Sequence, residues 1–199
     1  MKKLFLSLLL LPAFAFTVRD ADPLEIGSSL PKADRKMKDI TGKEVSFNDI
    51  KTKNGLLVMF SCNTCPWVIR NQSRTKEICE YAKSKGMGVV LLNSNEGGRD
   101  ESDSFEAMKE YGKEQGYSWH YLVDKNNEVA DAFGANRTPE CFLFDRNDKL
   151  VYHGAIDDNP QSANDVNRKH LKVAVDEVLS GKDVSVKKSK SVGCNIKRI

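Results

Sequence analysis

The stretch Leu56-Leu57-Val58-Met59-Phe60-Ser61-Cys62-Asn63-Thr64-Cys65-Pro66-Trp67 decides how this chain is read. Five apolar residues in a row fit a strand buried on both faces. Pro66 fits the first turn of a helix, where a missing N–H costs nothing. Between the two stands a Cys-x-x-Cys pair. A helix N-terminus presents unpaired backbone N–H groups and the positive end of the helix dipole, and both favour a thiolate over a thiol. Cys62 is therefore the expected nucleophile and Cys65 the expected resolving thiol, closing and reopening a disulfide between them. A ring this local constrains little chain, so a purely structural bond would stabilise little.

Strand and helix signals alternate around the motif. Residues 37–40 and 44–47 flank Thr41-Gly42-Lys43 as a hairpin. The helix after Pro66 carries Val68, Ile69, Ile78, Cys79 and Ala82 and stops near Gly86. Residues 87–92 read as a second buried strand. Phe105, Met108 and Tyr111 mark a helix that ends near Gly116. A third strand over 119–123 and a short helix over 126–133, closed by Gly134, come next. Residues 141–144 and 150–153 form a second hairpin around Asp145-Arg146-Asn147-Asp148. A last helix over 165–179 carries Leu171, Ala174, Val175 and Val178 on one face. Such alternation calls for parallel strands in the centre, to which the second hairpin adds antiparallel ones. The expected class is α/β, a central mixed β-sheet with helices on both faces. Reactive sites in such sheets lie at the carboxyl ends of strands, where Cys62 stands.

The ends add compartment. Lys2 and Lys3, the apolar run 4–11 and Ala13-Phe14-Ala15 compose a secretory signal over residues 1–15. Its apolar part is shorter than the about 20 residues a membrane span needs. The expected organisation is a signal at 1–15, one domain at 16–181 and a basic tail at 182–199, exported to the periplasm or secreted, with no stable membrane span after cleavage. All five cysteines then meet a compartment where disulfides persist, and an odd count leaves at least one thiol free or paired with another molecule. Apart from Lys2 and Lys3 the chain holds 29 basic and 28 acidic residues, a balance that argues against nucleic acid as a partner. The tail sets Lys182, Lys187, Lys188, Lys190, Lys197 and Arg198 against Asp183 without periodicity and reads as a solvated extension.

Thr138-Pro139 precedes the strand at 141–144, a position suited to a residue that cannot donate to a sheet ladder. The order Cys62-x-x-Cys65, helix, Thr138-Pro139, strand resembles the thioredoxin fold. The closer resemblance is to exported TlpA-like thiol–disulfide oxidoreductases and the AhpC/TSA (peroxiredoxin-like) superfamily. It rests also on Asp39-Ile40-Thr41-Gly42-Lys43, on residues 137–145, on Tyr152-His153-Gly154 and on Gly193-Cys194-Asn195-Ile196-Lys197, and it covers residues 24–199. It implies a thioredoxin-like fold with an N-terminal β-hairpin and a cis Thr138–Pro139 bond across from the cysteines. Thr138 and Pro139 would then form a platform on which a substrate's extended chain adds as a strand. Protein thiols and disulfides are the implied substrates, a redox partner protein recycles the pair, and neither cofactor nor metal is required. The chain departs from the family pattern in two places. Asn63-Thr64 replaces the common Gly-Pro inside the motif, which tunes the reduction potential. Leu56 occupies the place of the buried acid that thioredoxins carry six residues before the first cysteine, which leaves the proton acceptor for Cys65 unidentified.

Several residues have two readings. Trp67 either covers the helix surface or shapes a docking patch for partner proteins. Cys194 is a spare thiol or a third redox cysteine that reaches back to the site. Cys79 and Cys141 read as small core residues, and His120, His153 and His170 as ordinary surface or core histidines. Two further functions compete with thiol–disulfide exchange. Cys65-Pro66 matches the peroxidatic pattern of peroxiredoxins, with Cys62 in the place of their peroxide-binding Thr or Ser. A copper-binding role suits thiolates, but the copper proteins of this fold space their cysteines by three residues and add a histidine.

Overall fold

The computed structural model describes residues 22–199, so the expected signal lies outside the described residues. The chain runs through β1 (Met37–Lys38), β2 (Glu44–Val45), α1 (Phe47–Ile50), β3 (Leu56–Ser61), α2 (Pro66–Ser84), β4 (Gly88–Asn93) and α3 (Phe105–Gln115). It continues through β5 (His120–Val123), α4 (Glu128–Phe133), β6 (Arg137–Thr138), β7 (Glu140–Phe144), β8 (Leu150–Gly154), α5 (His170–Leu179) and β9 (Cys194–Asn195). Five strands form the central sheet in the order β5-β4-β3-β7-β8. β3 pairs in parallel with β4, and β4 with β5, whereas β7 runs antiparallel to both β3 and β8.

β3 lies in the middle, which explains its unbroken apolar run. Leu57 and Met59 face one core with Ile78, Cys79 and Ala82 of α2 and Leu171, Ala174 and Val175 of α5. Leu56, Val58 and Phe60 face the other with Phe47 of α1 and Val129, Ala130 and Phe133 of α4. Full burial of side chains of this size contributes roughly 1.5–3 kcal/mol each. β1 and β2 form the expected N-terminal hairpin.

Three elements differ from the sequence expectation. Phe47 opens α1 instead of ending a strand, because the backbone N–H and hydroxyl of Ser46 both donate to Asp49 Oδ2 at 2.7 Å and start a helix there. The last helix begins at His170, not at 165, because Asp158 accepts the N–H groups of Asn167 and Arg168 at 3.0 Å and holds that segment as a loop. The tail is not a solvated extension. Val184 joins the first core and Ile196 the second. His153 donates its N–H to Lys187 O and accepts that of Ser189, both at 3.0 Å, and β9 pairs antiparallel with β6. An extended segment anchored at separate points needs only a few apolar residues, so it shows no period.

Candidate active site

β3 ends at Ser61 and delivers Cys62 to the carboxyl edge of the sheet. Cys65 caps α2, with Pro66 in its first turn. The register of β7 on β3 sets Glu140 opposite Phe60, which carries the preceding Thr138–Pro139 bond, cis in this structure, over the motif. Cys62 Sγ lies 3.4 Å from Thr138 Oγ1, and Cys65 Sγ lies 3.4 Å from Thr138 O. Thr138 and Pro139 are buried, and Trp67 is half-buried against the cluster of Cys62, Cys65 and Val68. The guanidinium of Arg70 lies 5.2 Å from the Trp67 ring.

The cysteine pairing differs from the expectation. Cys65 is bonded to Cys194, with Cα atoms 6.1 Å apart, and Cys62 remains a thiol. The physical reason is the course of the tail, whose strand β9 brings Cys194 to the register position of Thr138, beside Cys65. The electrostatics of Cys62 differ as well. Burial pushes its thiol pKa up, and this outweighs the hydrogen bond with Thr138 and the N–H groups of Cys65 and Thr64, which favour the thiolate; the charge of Asp103 adds to the rise. With the tail in place, desolvation wins over the helix terminus. Cys79 and Cys141 are fully buried core thiols, each with its pKa pushed up by desolvation.

Two supporting clusters escaped the sequence reading. Asn63, inside the motif, donates its N–H to Asp103 Oδ1 at 3.0 Å and its side-chain amide to Ser102 O at 2.8 Å, and accepts from Tyr121 Oη at 2.9 Å. Asp103 is fully buried and also accepts from Asn93 Nδ2 at 2.7 Å and Asn95 Nδ2 at 3.1 Å. Glu140, straight after Pro139, accepts the N–H groups of Asn136 and Arg137 at 2.8 and 3.0 Å, and its other oxygen lies 2.8 Å from His153 Nε2. His153 stacks on Phe142 at 4.4 Å. Glu140 and His153 thus hold the loop that presents Thr138. The one available signal was an acid directly after a Thr-Pro strand start; Asp103 sits in a polar loop 40 residues from Asn63 and carried none. Among the described residues no group of three or more His, Cys, Asp or Glu is arranged to hold a metal ion.

Sheet order, cis-Pro loop and cysteines at a helix start together define a thioredoxin-like fold. The Redoxin family matches residues 25–169, and the chain belongs to that family. It is 25% identical over 154 residues to the thiol-disulfide oxidoreductase ResA of Bacillus thuringiensis (strain Al Hakam), an alignment that covers 75% of this chain and 83% of the relative. Among solved structures it is similar to the hypothetical protein SMc02350 of Sinorhizobium meliloti 1021, with 34% identity, a TM-score of 0.81 and coverage of 90% of this chain and 97% of that one. An uncharacterized conserved protein of Geobacillus kaustophilus gives 32% identity, a TM-score of 0.82 and coverage of 92% and 97%.

Proposed function

We propose that the chain is an exported thiol–disulfide oxidoreductase that acts on protein thiols and disulfides through Cys62 and Cys65, with Cys194 as a third redox cysteine. In the reducing direction, the Cys62 thiolate attacks a sulfur of the partner disulfide. The partner's bond breaks, a mixed disulfide forms, and the released partner thiolate takes a proton. Cys65 then attacks the Cys62 sulfur, the second partner thiolate leaves, and Cys62–Cys65 is closed. Cys194 attacks the Cys65 sulfur and releases Cys62 as a thiol, which gives the Cys65–Cys194 bond. A dithiol redox partner supplies two electrons and restores three thiols. Thr138 and Pro139 serve as the substrate platform, with Trp67 beside it.

The convergence of three cysteines on Thr138 carries this reading. Reduction of insulin disulfides tests it, with Cys62→Ser expected to lose at least a hundredfold in rate. Retention of full activity by Cys62→Ser would remove Cys62 from the role.

The Cys65–Cys194 bond itself favours a second reading, a peroxidase. Cys65 would attack peroxide to give a sulfenic acid and water, and Cys194 would condense with it, releasing a second water. Stopped-flow oxidation separates the two: oxidation of Cys65 by peroxide at the slow rate of an ordinary thiol excludes a dedicated peroxidase.

A further inference from the structure

Residues 193–198 lie where a partner's extended chain would have to lie. β9 sets Cys194 opposite Thr138 and Asn195 opposite Arg137. Beyond it, Ile196 donates its N–H to Asn136 O at 3.0 Å and buries its side chain in the second core. The opposite edge of the segment is also taken: Lys197 donates its N–H to Asn95 Oδ1 at 3.0 Å, and Lys197 O accepts from Gly97 at 2.9 Å. Arg198 Nη2 donates to Ala135 O at 2.6 Å, and its Nε to Asp131 at 2.9 Å. Gly193 lies so close that a Cβ would come within 2.3 Å of Thr138 O, so only a residue without a side chain passes there. A strand edge takes one extended neighbour on a given side. While the segment occupies the Thr138 edge, no second chain adds to it, and Cys62 stays 1% exposed.

We propose that residues 193–198 are a strand plug on the protein's own partner-binding edge, latched by the Cys65–Cys194 bond and released when that bond is exchanged or reduced. The proposal rests on the thiol–disulfide reading above. Unlatching by internal exchange involves no net change of oxidation state. The Cys62 thiolate attacks the Cys65 sulfur, the Cys65–Cys194 bond breaks, Cys194 leaves as a thiolate and takes a proton, and Cys62–Cys65 forms. Alternatively an external dithiol reduces the latch, is itself oxidised to a disulfide, and leaves Cys65 and Cys194 as thiols. In either case only the hydrogen bonds and Ile196 still hold the plug. The same bond that stores the oxidised state thereby closes the site to further partners.

Two measurements on the full-length protein test this. Hydrogen exchange read by mass spectrometry over residues 193–198 is expected to speed up at least tenfold when dithiothreitol reduces the protein. Pre-reduced Ile196→Asp, whose anchor is lost, is expected to cleave insulin disulfides at least fivefold faster than reduced wild type, with cleavage of the small hydroxyethyl disulfide rising by a smaller factor. Gly193→Val serves as the second variant if Ile196→Asp does not fold. Unchanged protection on reduction, or an insulin rate within twofold of wild type in the folded variant, overturns the plug. Inertness of both reduced wild type and the reduced, folded variant toward both disulfides would instead overturn the oxidoreductase reading, with the exchange result still deciding the plug.

Discussion

Asp103 Oδ1 accepts the backbone N–H of Asn63 at 3.0 Å, so a buried carboxylate from the loop before α3 sits inside the turn between Cys62 and Cys65. Its charge opposes a Cys62 thiolate. Asp103→Asn is expected to move the pH profile of Cys62 alkylation toward lower pH in the oxidised protein, and to lower stability by about 1.5–3 kcal/mol for a weakened charged hydrogen bond. Alkylation read by mass spectrometry across neutral and alkaline pH checks the first effect, and urea unfolding the second. A shift toward higher pH would contradict the electrostatic assignment.

The buried acids set an alkaline limit. Burial raises the pKa of Cys79, Cys141 and Tyr121 above their ordinary values. As pH climbs through the unfolded values, about 8.5 for Cys and about 10 for Tyr, the unfolded chain loses protons that the folded chain keeps. The folded state then binds more protons, so stability falls with rising pH. Unfolding midpoints are expected to be level up to about pH 8.5 and to drop steadily above it. A flat profile through the alkaline range would show these groups to be hydrated.

The tail bond joins residues 129 positions apart. Cys194→Ser removes that cross-link, and the oxidised variant is expected to re-pair as Cys62–Cys65. The short ring restrains little chain, so the loss is expected at about 2–4 kcal/mol, against about 5 in a pure chain-entropy account. Peptide mapping gives the pairing and denaturant unfolding the loss.

Arg74 and Asp157 form a buried ion pair at 2.7 Å, with side chains 8% and 3% exposed. Arg74 also donates to Asn159 O and Pro160 O, so it ties α2 to the loop before α5. Asp157→Ala leaves an unpaired buried cation and is expected to cost about 3–5 kcal/mol. Replacing both, as Arg74→Met with Asp157→Leu, should recover much of that, since an apolar pair of similar volume avoids the desolvation penalty. A double-mutant cycle by urea unfolding measures the difference.

Some of the molecule is legible in the amino-acid order alone. β3 and β4 are buried on both faces, and double burial writes itself as a continuous apolar run. α2 announces its start through Pro66 and its end near Gly86. The Cys62–Cys65 spacing marked the candidate site, and Thr138-Pro139 the loop that packs against its two sulfurs. The start of α5 was hidden because Asp158, a loop acid, competes with the helix for the N–H groups of Asn167 and Arg168. Asp103 and Glu140 were hidden because a buried acid looks like a surface acid until its donors are known.

The amino-acid order by itself determined the alternating elements, the two-faced central strand and the position of two thiols at a helix start, since each is encoded by neighbours within a few residues. Which sulfur bonds to which, the high pKa of Cys62 and the occupation of the Thr138 edge by the tail were decided only by tertiary structure. They depend on segments far apart in the chain meeting in space, 129 residues for Cys65 and Cys194 and 76 for Cys62 and Thr138, and on how completely that meeting shuts out water.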